Sequence, residues 1–581
     1  MIRKILFIAS AVILFTGALQ LNAQDRAEKI DEFIQRVVDY NSFSGSVLIA
    51  DNREVIFKKG YSFANREWEI KNTTDTKFRI GSITKQFTAA IILKLREEGK
   101  LKLDDKITDH IPYYRKDTGE KVTIHQLLVH TSGIPSYTSV PNFFQEISKR
   151  EFTVEEFVKE YCMGDFNFEP GTDWAYNNTG YYLLGVIIEE ITGMTYAEAL
   201  QHYILDPLEM NDSGYDVFSE VLDKRATGYS QHFIDYTNSP YLNMELPYAA
   251  GGMYSTVEDM FKWDQALSKP GLLTEESLEL FFKPHVEAMG GYYAYGWTIN
   301  KTDIDGDGEE EKVIRHGGGI NGFNTLIVRI PEKGQLLVML NNTGGAALGF
   351  MSNQLLKLIN DQDYEYPKKG IGIALYQKYE EEGIDSAIDY YNKLKESGDL
   401  EIFFTDRSEL NALGYYLMNN ENDLDAAKKI FKLNMDEYPD WFNTYDSYAE
   451  ILMELGDDEN AIEFYEKSLE MNPGNDNAIE KLKELGVEYE REVIVPAEVL
   501  ESYTGTYELT PNFKIVIKVK DNQLFAKATG QPEFPVFPIN ETRFFYKVVE
   551  AEIEFYKNEN GEVESLTLFQ GGREMHGKKV E

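Results

Sequence analysis

The feature that most constrains this chain is that its hydrophobic period changes twice along its length. From about residue 28 to 360, short apolar runs of strand length mix with amphipathic helical stretches and many Gly-containing turns. From about 370 to 487 the period is helical throughout, in a stretch rich in Tyr, Leu, Ala, Glu and Asp. From about 497 onward alternation takes over: Ile515, Ile517 and Val519, an Asp521-Asn522 turn, then Leu524 and Ala526. Asn560-Gly561 adds a hairpin signal, and Pro511, Pro532, Pro535 and Pro538 exclude a long helix there. No single core can satisfy three periods in series. The chain of 581 residues is therefore read as an α/β unit over 28–360, an all-α unit over 370–487 and a small all-β unit over 497–581.

The first 23 residues stand apart. Arg3 and Lys4 precede an apolar stretch, Ile5 to Leu19, too short to span a bilayer comfortably, and Leu21-Asn22-Ala23 offers a small-residue cleavage site. This pattern predicts a signal peptide over 1–23 and an exported product, periplasmic or secreted. No cysteine nearby could accept a lipid, and no later segment approaches a transmembrane span. The formal net charge of −40 argues against gripping nucleic acid, which needs clustered Lys and Arg. A lone cysteine, Cys162, excludes an internal disulfide framework and multi-Cys metal sites.

The helical stretch carries an internal repeat. Pro439 and Pro473 lie 34 residues apart, and the same offset links Ala427 with Ala461 and Phe431 with Tyr465. The period and the placing of Ala, aromatic and Pro resemble tetratricopeptide repeats. Two units are clear; an earlier helix pair from Ala374 to Lys395 has the wrong spacing. Close to half of the net negative charge lies in this stretch. It suits solvation, as a plain helical spacer, or a protein partner bound through the repeats.

Chemistry concentrates at three places in the first unit. In Phe78-Arg-Ile-Gly-Ser82-Ile-Thr-Lys85, Gly81 breaks a strand-like run and a helical period begins at Ile83. Ser82 then stands at a helix N-terminus with Lys85 one turn on, sharing a face. A serine hydroxyl needs a nearby base, and a desolvated amine can serve. The bland alternative is a helix cap and a solvated lysine. A Pro-Gly turn at 170–171 then delivers Tyr176 and Asn178 on a loop before an apolar helical run, a phenol to exchange a proton and an amide to position groups. Finally, His316-Gly317-Gly318-Gly319 sits between strand-like runs, where glycines let a backbone lie close against a ligand.

With these three motifs in order, the chain from about 30 to 360 resembles the serine β-lactamase and penicillin-binding-protein superfamily, most like its class C and esterase-like members. Leu127-Leu-Val-His-Thr-Ser-Gly-Ile-Pro135 and Ala250-Gly-Gly-Met-Tyr-Ser-Thr-Val-Glu-Asp259 also fit. The resemblance implies an antiparallel sheet with helices plus a helical lobe, and a cleft between them. It implies Ser82 as the acylated nucleophile, Lys85 as its base, Tyr176 as proton shuttle and Asn178 as the group orienting Lys85 and substrate. It further implies an oxyanion hole from the backbone N–H groups of Ser82 and Gly319, with His316, Gly317 and Gly318 binding substrate. His316 stands where many relatives carry a lysine; a partly cationic imidazole would hold a substrate carboxylate less firmly, which favours esters or peptides over β-lactams. The C-terminal region, from Tyr503-Thr-Gly-Thr-Tyr507, resembles small β-barrel domains attached to such hydrolases. Within this first unit, residues 44–62 and 323–341 read as two hairpins of one sheet.

Other chemistries find less support. Asp303-Ile-Asp-Gly-Asp307-Gly308 opens like an EF-hand loop, but position twelve falls on Ile314, so an acidic hairpin turn is the expectation. There is no H-E-x-x-H pair and no G-x-S-x-G elbow. No cofactor or metal is expected. The function expected is an exported serine hydrolase acting on a small-molecule or peptide ester or amide; the alternative is an inactive scaffold that works through its repeats.

Overall fold

A computed structural model describes residues 24–580 apart from 307, 490–494, 511–512, 559–560 and 572. The expected signal peptide therefore lies outside the described residues, as do Pro511 and Asn560 of the expected β region. Among the described residues, no helix is long and apolar enough to cross a membrane. The chain divides into two compact units, at Pro367/Lys368.

The first unit is built on an eight-stranded antiparallel sheet whose order is Val286–Ala288, Gly291–Tyr293, Thr298–Thr302, Glu311–Ile320, Phe323–Ile330, Gln335–Asn341, Gly45–Asp51 and Glu54–Tyr61. Both expected hairpins are in it. They meet through Gly45–Asp51, which pairs with Gln335–Asn341 in the register Gly45↔Asn341 to Ala50↔Leu336. These two strands read as continuous apolar runs because both faces of the sheet are covered. Leu48, Ala50, Leu336, Val338 and Leu340 enter the larger core, with the catalytic-side helices. Val47, Ile49, Leu337 and Met339 enter a second core, with Ile30, Phe33 and Ile34 of helix 24–39 and Met351 and Leu355 of helix Leu348–Ile359.

On the larger-core side runs the helix Thr84–Glu97, buried continuously from Thr84 to Leu93. Phe87 stacks on Trp263 at 4.3 Å between ring centroids. Helix Asn178–Thr192 and the short helix Tyr248–Gly251 pack beside it in the helical lobe.

The second unit holds three helical hairpins, Ile371–Glu382 with Ile384–Ser397, Arg407–Asn419 with Leu424–Glu437, and Phe442–Glu454 with Asp458–Met471, then a capping helix Asp476–Glu484. The pair judged mis-spaced is thus a full hairpin. Its extra loop, with a 3-10 turn Asp399–Ile402 and the bridge of Phe403–Phe404 to Lys369–Gly370, accounts for the broken period. An eight-stranded closed barrel runs from Gly505–Thr510 to Arg573–Lys579. Tyr503 and Tyr507 are buried in it, Tyr503 stacked on Phe555 at 4.2 Å. Hairpins and barrel form one compact unit rather than two. The Phe545 ring lies where a Cβ on Gly474 would be only 1.8 Å away, and Glu550 accepts from both Arg407 (2.9 Å) and the Trp441 indole (2.7 Å).

Candidate active site

Ser82 lies in the 3-10 turn Gly81–Ile83, which runs directly into the helix Thr84–Glu97. Gly81 has φ +51°, and a Cβ there would stand 3.0 Å from both the backbone N and O of Gly319. Only glycine allows the turn to lie this close to the strand. From the other side, a Cβ on Gly318 would be 1.9 Å from the Ile80 carbonyl oxygen. The pairing of strand Glu311–Ile320 with its outer neighbour ends at Arg315, so Gly317 to Ile320 pair only with Phe323–Ile330 and present their other edge to the Ser82 turn. Thr325 Oγ1 ties the two together by donating to the Ile80 carbonyl at 3.0 Å.

Because Thr84–Glu97 is covered on all sides at its start, Lys85 cannot reach water and its side chain is fully buried. Its Nζ contacts three oxygens: Ser82 Oγ at 3.0 Å, Asn178 Oδ1 at 2.9 Å and the Ala250 carbonyl at 2.8 Å. No carboxylate among the described residues bonds to it. Burial without a counter-charge holds this amine well below the usual lysine pKa. A neutral amine has two N–H donors and one lone pair. The amide and carbonyl oxygens can only accept, so they take both donors and the lone pair faces the Ser82 hydroxyl.

Asn178 is not on a loop, as expected, but is the first residue of helix Asn178–Thr192; Asn177 is the cap, its Oδ1 accepting from the Gly180 N–H at 2.9 Å. The helix start fixes the Asn178 amide, whose Nδ2 donates to Thr138 Oγ1 at 3.2 Å. Tyr176 is half-buried with its ring beside Lys85, 4.9 Å from Nζ. Burial pushes its phenol pKa up, against a hydrogen bond with Ser82 that pulls it down, so the group is a neutral donor.

His316 differs most from expectation. Its side chain is buried, Nδ1 stands 2.7 Å from the Gly317 carbonyl and Nε2 3.0 Å from the Tyr293 hydroxyl. A carbonyl only accepts, so Nδ1 carries the proton and Nε2 accepts from Tyr293. Burial first, and Lys85 second, push its pKa down to about 4. The imidazole is therefore neutral, and the partly cationic handle expected for a carboxylate is not present.

Two contributors were missed in the sequence. The Ala250 carbonyl belongs to a stretch noted only as family-like, and a backbone acceptor carries no side-chain signal. His130, with φ +63°, packs its ring 4.5 Å from that of Tyr176 and accepts the Asn177 N–H at 3.2 Å. It thereby pins the segment between Tyr176 and Asn178. The acidic turn at 303–311 brings Asp303, Asp305 and Glu311 together, but the Lys333 ammonium pairs with both Asp305 and Glu311, so the fold supplies its own cation.

A family profile described as Beta-lactamase matches residues 30–360, more than half of the chain. The chain belongs to the beta-lactamase family. A protein named penicillin-binding protein 4* from Bacillus subtilis (strain 168) is 28% identical over 386 residues, 61% of this chain and 82% of that protein. The crystal structure of a penicillin-binding protein from Bacillus halodurans matches at 28% identity and a TM-score of 0.50, covering 58% of this chain and 98% of that one. An octameric penicillin-binding-protein homologue from Pyrococcus abyssi covers 95% of this chain and 99% of its own, with a TM-score of 0.50; at 22% identity the likeness is one of fold. A tetratricopeptide-repeat profile matches 442–475, and a domain of unknown function, DUF3471, matches 490–579. The beta-lactamase-family domain makes this protein a serine hydrolase with repeat helices and a C-terminal barrel.

Proposed function

We propose that the protein is an exported hydrolase that passes through an acyl-enzyme on Ser82, acting on an ester or amide. Lys85 takes the Ser82 proton as Oγ attacks the carbonyl carbon, and the C–O or C–N bond to the leaving group then breaks. Tyr176 relays the proton to the leaving group, and Asn178 holds Lys85 in position. The N–H groups of Ser82 and Gly319 receive the oxyanion. Water then attacks the acyl carbonyl and regenerates the Ser82 hydroxyl. The observation that carries this reading is the buried Lys85 amine, 3.0 Å from Ser82 Oγ and bonded to no carboxylate among the described residues.

Export to the periplasm or beyond rests on the first 23 residues, and partner binding on the repeat helices. A second reading, acylation by penicillins or D-Ala-D-Ala peptides, draws on the relatives named penicillin-binding proteins. Intact-mass spectrometry after brief exposure to a chromogenic ester, a penicillin and a D-Ala-D-Ala peptide tests both readings. An adduct on Ser82 from the ester supports the first, and one from the latter two supports the second. No adduct and no hydrolysis with any of them would count against Ser82 as the nucleophile.

A further inference from the structure

Beside Ser82 opens a pocket of about 110 Å³. Its walls are Phe143, Phe144, Leu242, Pro247 and Ile320, and the polar side chains on its surface, besides Ser82 itself, are the neutral Tyr137, Thr138, Asn178 and Asn321. No charged side chain is among the described residues that line it. The imidazole of His316, whose ring lies 6.2 Å from that of Tyr176, has both nitrogens engaged and is neutral. The Lys85 amine, its pKa lowered by burial, is turned toward Ser82.

Taking Ser82 as the acyl acceptor proposed above, we infer that the enzyme acts on uncharged acyl groups and does not recognise a carboxylate. An anionic acyl group would have to shed its water in a pocket that offers no cation in return, and an unpaired charge in such surroundings is strongly disfavoured. The field of the whole protein acts in the same direction, since a net charge of −40 lowers the local concentration of anions.

The test compares 4-nitrophenyl butyrate with 4-nitrophenyl hemisuccinate, in which a carboxylate replaces the terminal methyl, using the full chain. The expected ratio of kcat/KM is about 100 in favour of butyrate, and a ratio below about ten overturns the inference. In Ile320→Lys, an ammonium on the pocket wall is expected to raise hemisuccinate turnover and narrow the ratio about tenfold, whereas Ile320→Met leaves the ratio unchanged. A fluorophosphonate probe keeps the two readings apart. Labelling of Ser82 with equal turnover of both esters refutes only the charge selectivity, and no labelling of Ser82 refutes the nucleophile on which it rests.

Discussion

The Lys85 Nζ stands 2.9 Å from Asn178 Oδ1, a contact between the first turn of one helix and the first residue of another that gives the buried amine an acceptor without a counter-charge. An amide there takes a proton donor from the amine without adding a negative charge. A carboxylate at the same place would stabilise the ammonium.

Asn178→Asp is therefore expected to raise the Lys85 pKa. Below its pKa the amine is protonated and cannot accept the Ser82 proton, so activity falls on the acid side. The variant should shift the acid limb of kcat/KM upward by at least about one pH unit and lower ester turnover at pH 7 about tenfold or more. An unchanged acid limb would show that Lys85 is not the titrating base.

Lys85→Met separates function from stability. Burial holds the amine at a lower pKa in the folded chain than in the unfolded one, so it opposes folding at pH values below the ordinary lysine range. Replacing the amine with an apolar chain should abolish acylation of Ser82 and raise stability by about 1–2 kcal/mol. Urea unfolding of the two proteins at pH 7 measures this, and a destabilised Lys85→Met would contradict it.

Gly318→Ala tests the contact between strand and turn. The added Cβ would meet the Ile80 carbonyl at 1.9 Å, so the strand edge must move away from Ser82. If Gly319 supplies an oxyanion donor, kcat should fall about 100-fold or more while the folded protein persists. Circular dichroism together with ester kinetics reads both.

Four histidines, His130 and His316 buried and His125 and His285 half-buried, give the acid stability of this domain its sign. His125, His130, His285 and His316 all have pKa values lowered mainly by burial, those of His285 and His316 to about 4. Between about 6.5 and 4 the unfolded chain binds more protons at these sites than the folded one. Their contribution is therefore intact at neutral pH and is lost as pH falls through that window. The melting temperature of this domain should fall steadily from pH 7 to 4.5. His316→Asn should reduce the slope, and an identical slope would mean that His316 is not held neutral.

What was legible in the sequence depended on how local its cause is. The 3-residue spacing of Ser82 and Lys85 places both on one helix face whatever surrounds them, and the alternation at 515–526 needs only the pleat. Two-sided burial is also readable in the unbroken apolar run Leu336–Leu340. The charge of His316 was not, because it is set first by burial and then by Lys85, which comes from a distant part of the sequence. The helix start at Asn178 was placed too late, since Asn177 caps it while the preceding Trp-Ala-Tyr carries no turn signal. The Ala250 carbonyl, which takes one of the two N–H groups of Lys85, left no trace in side-chain chemistry.

The pairing of Gly45–Asp51 with Gln335–Asn341 joins residues separated by about three hundred positions as neighbouring strands of the sheet. A ribosome delivering this chain must finish more than half of it before the second strand of that pair exists. Until then Gly45–Asp51 has only its hairpin partner, and one side of its backbone hydrogen bonds stays open. Contacts of such long sequence separation form late and slowly. The first unit is consequently held back from completing its sheet while it is being made, and the unpaired edge is exposed to mispairing for that whole interval.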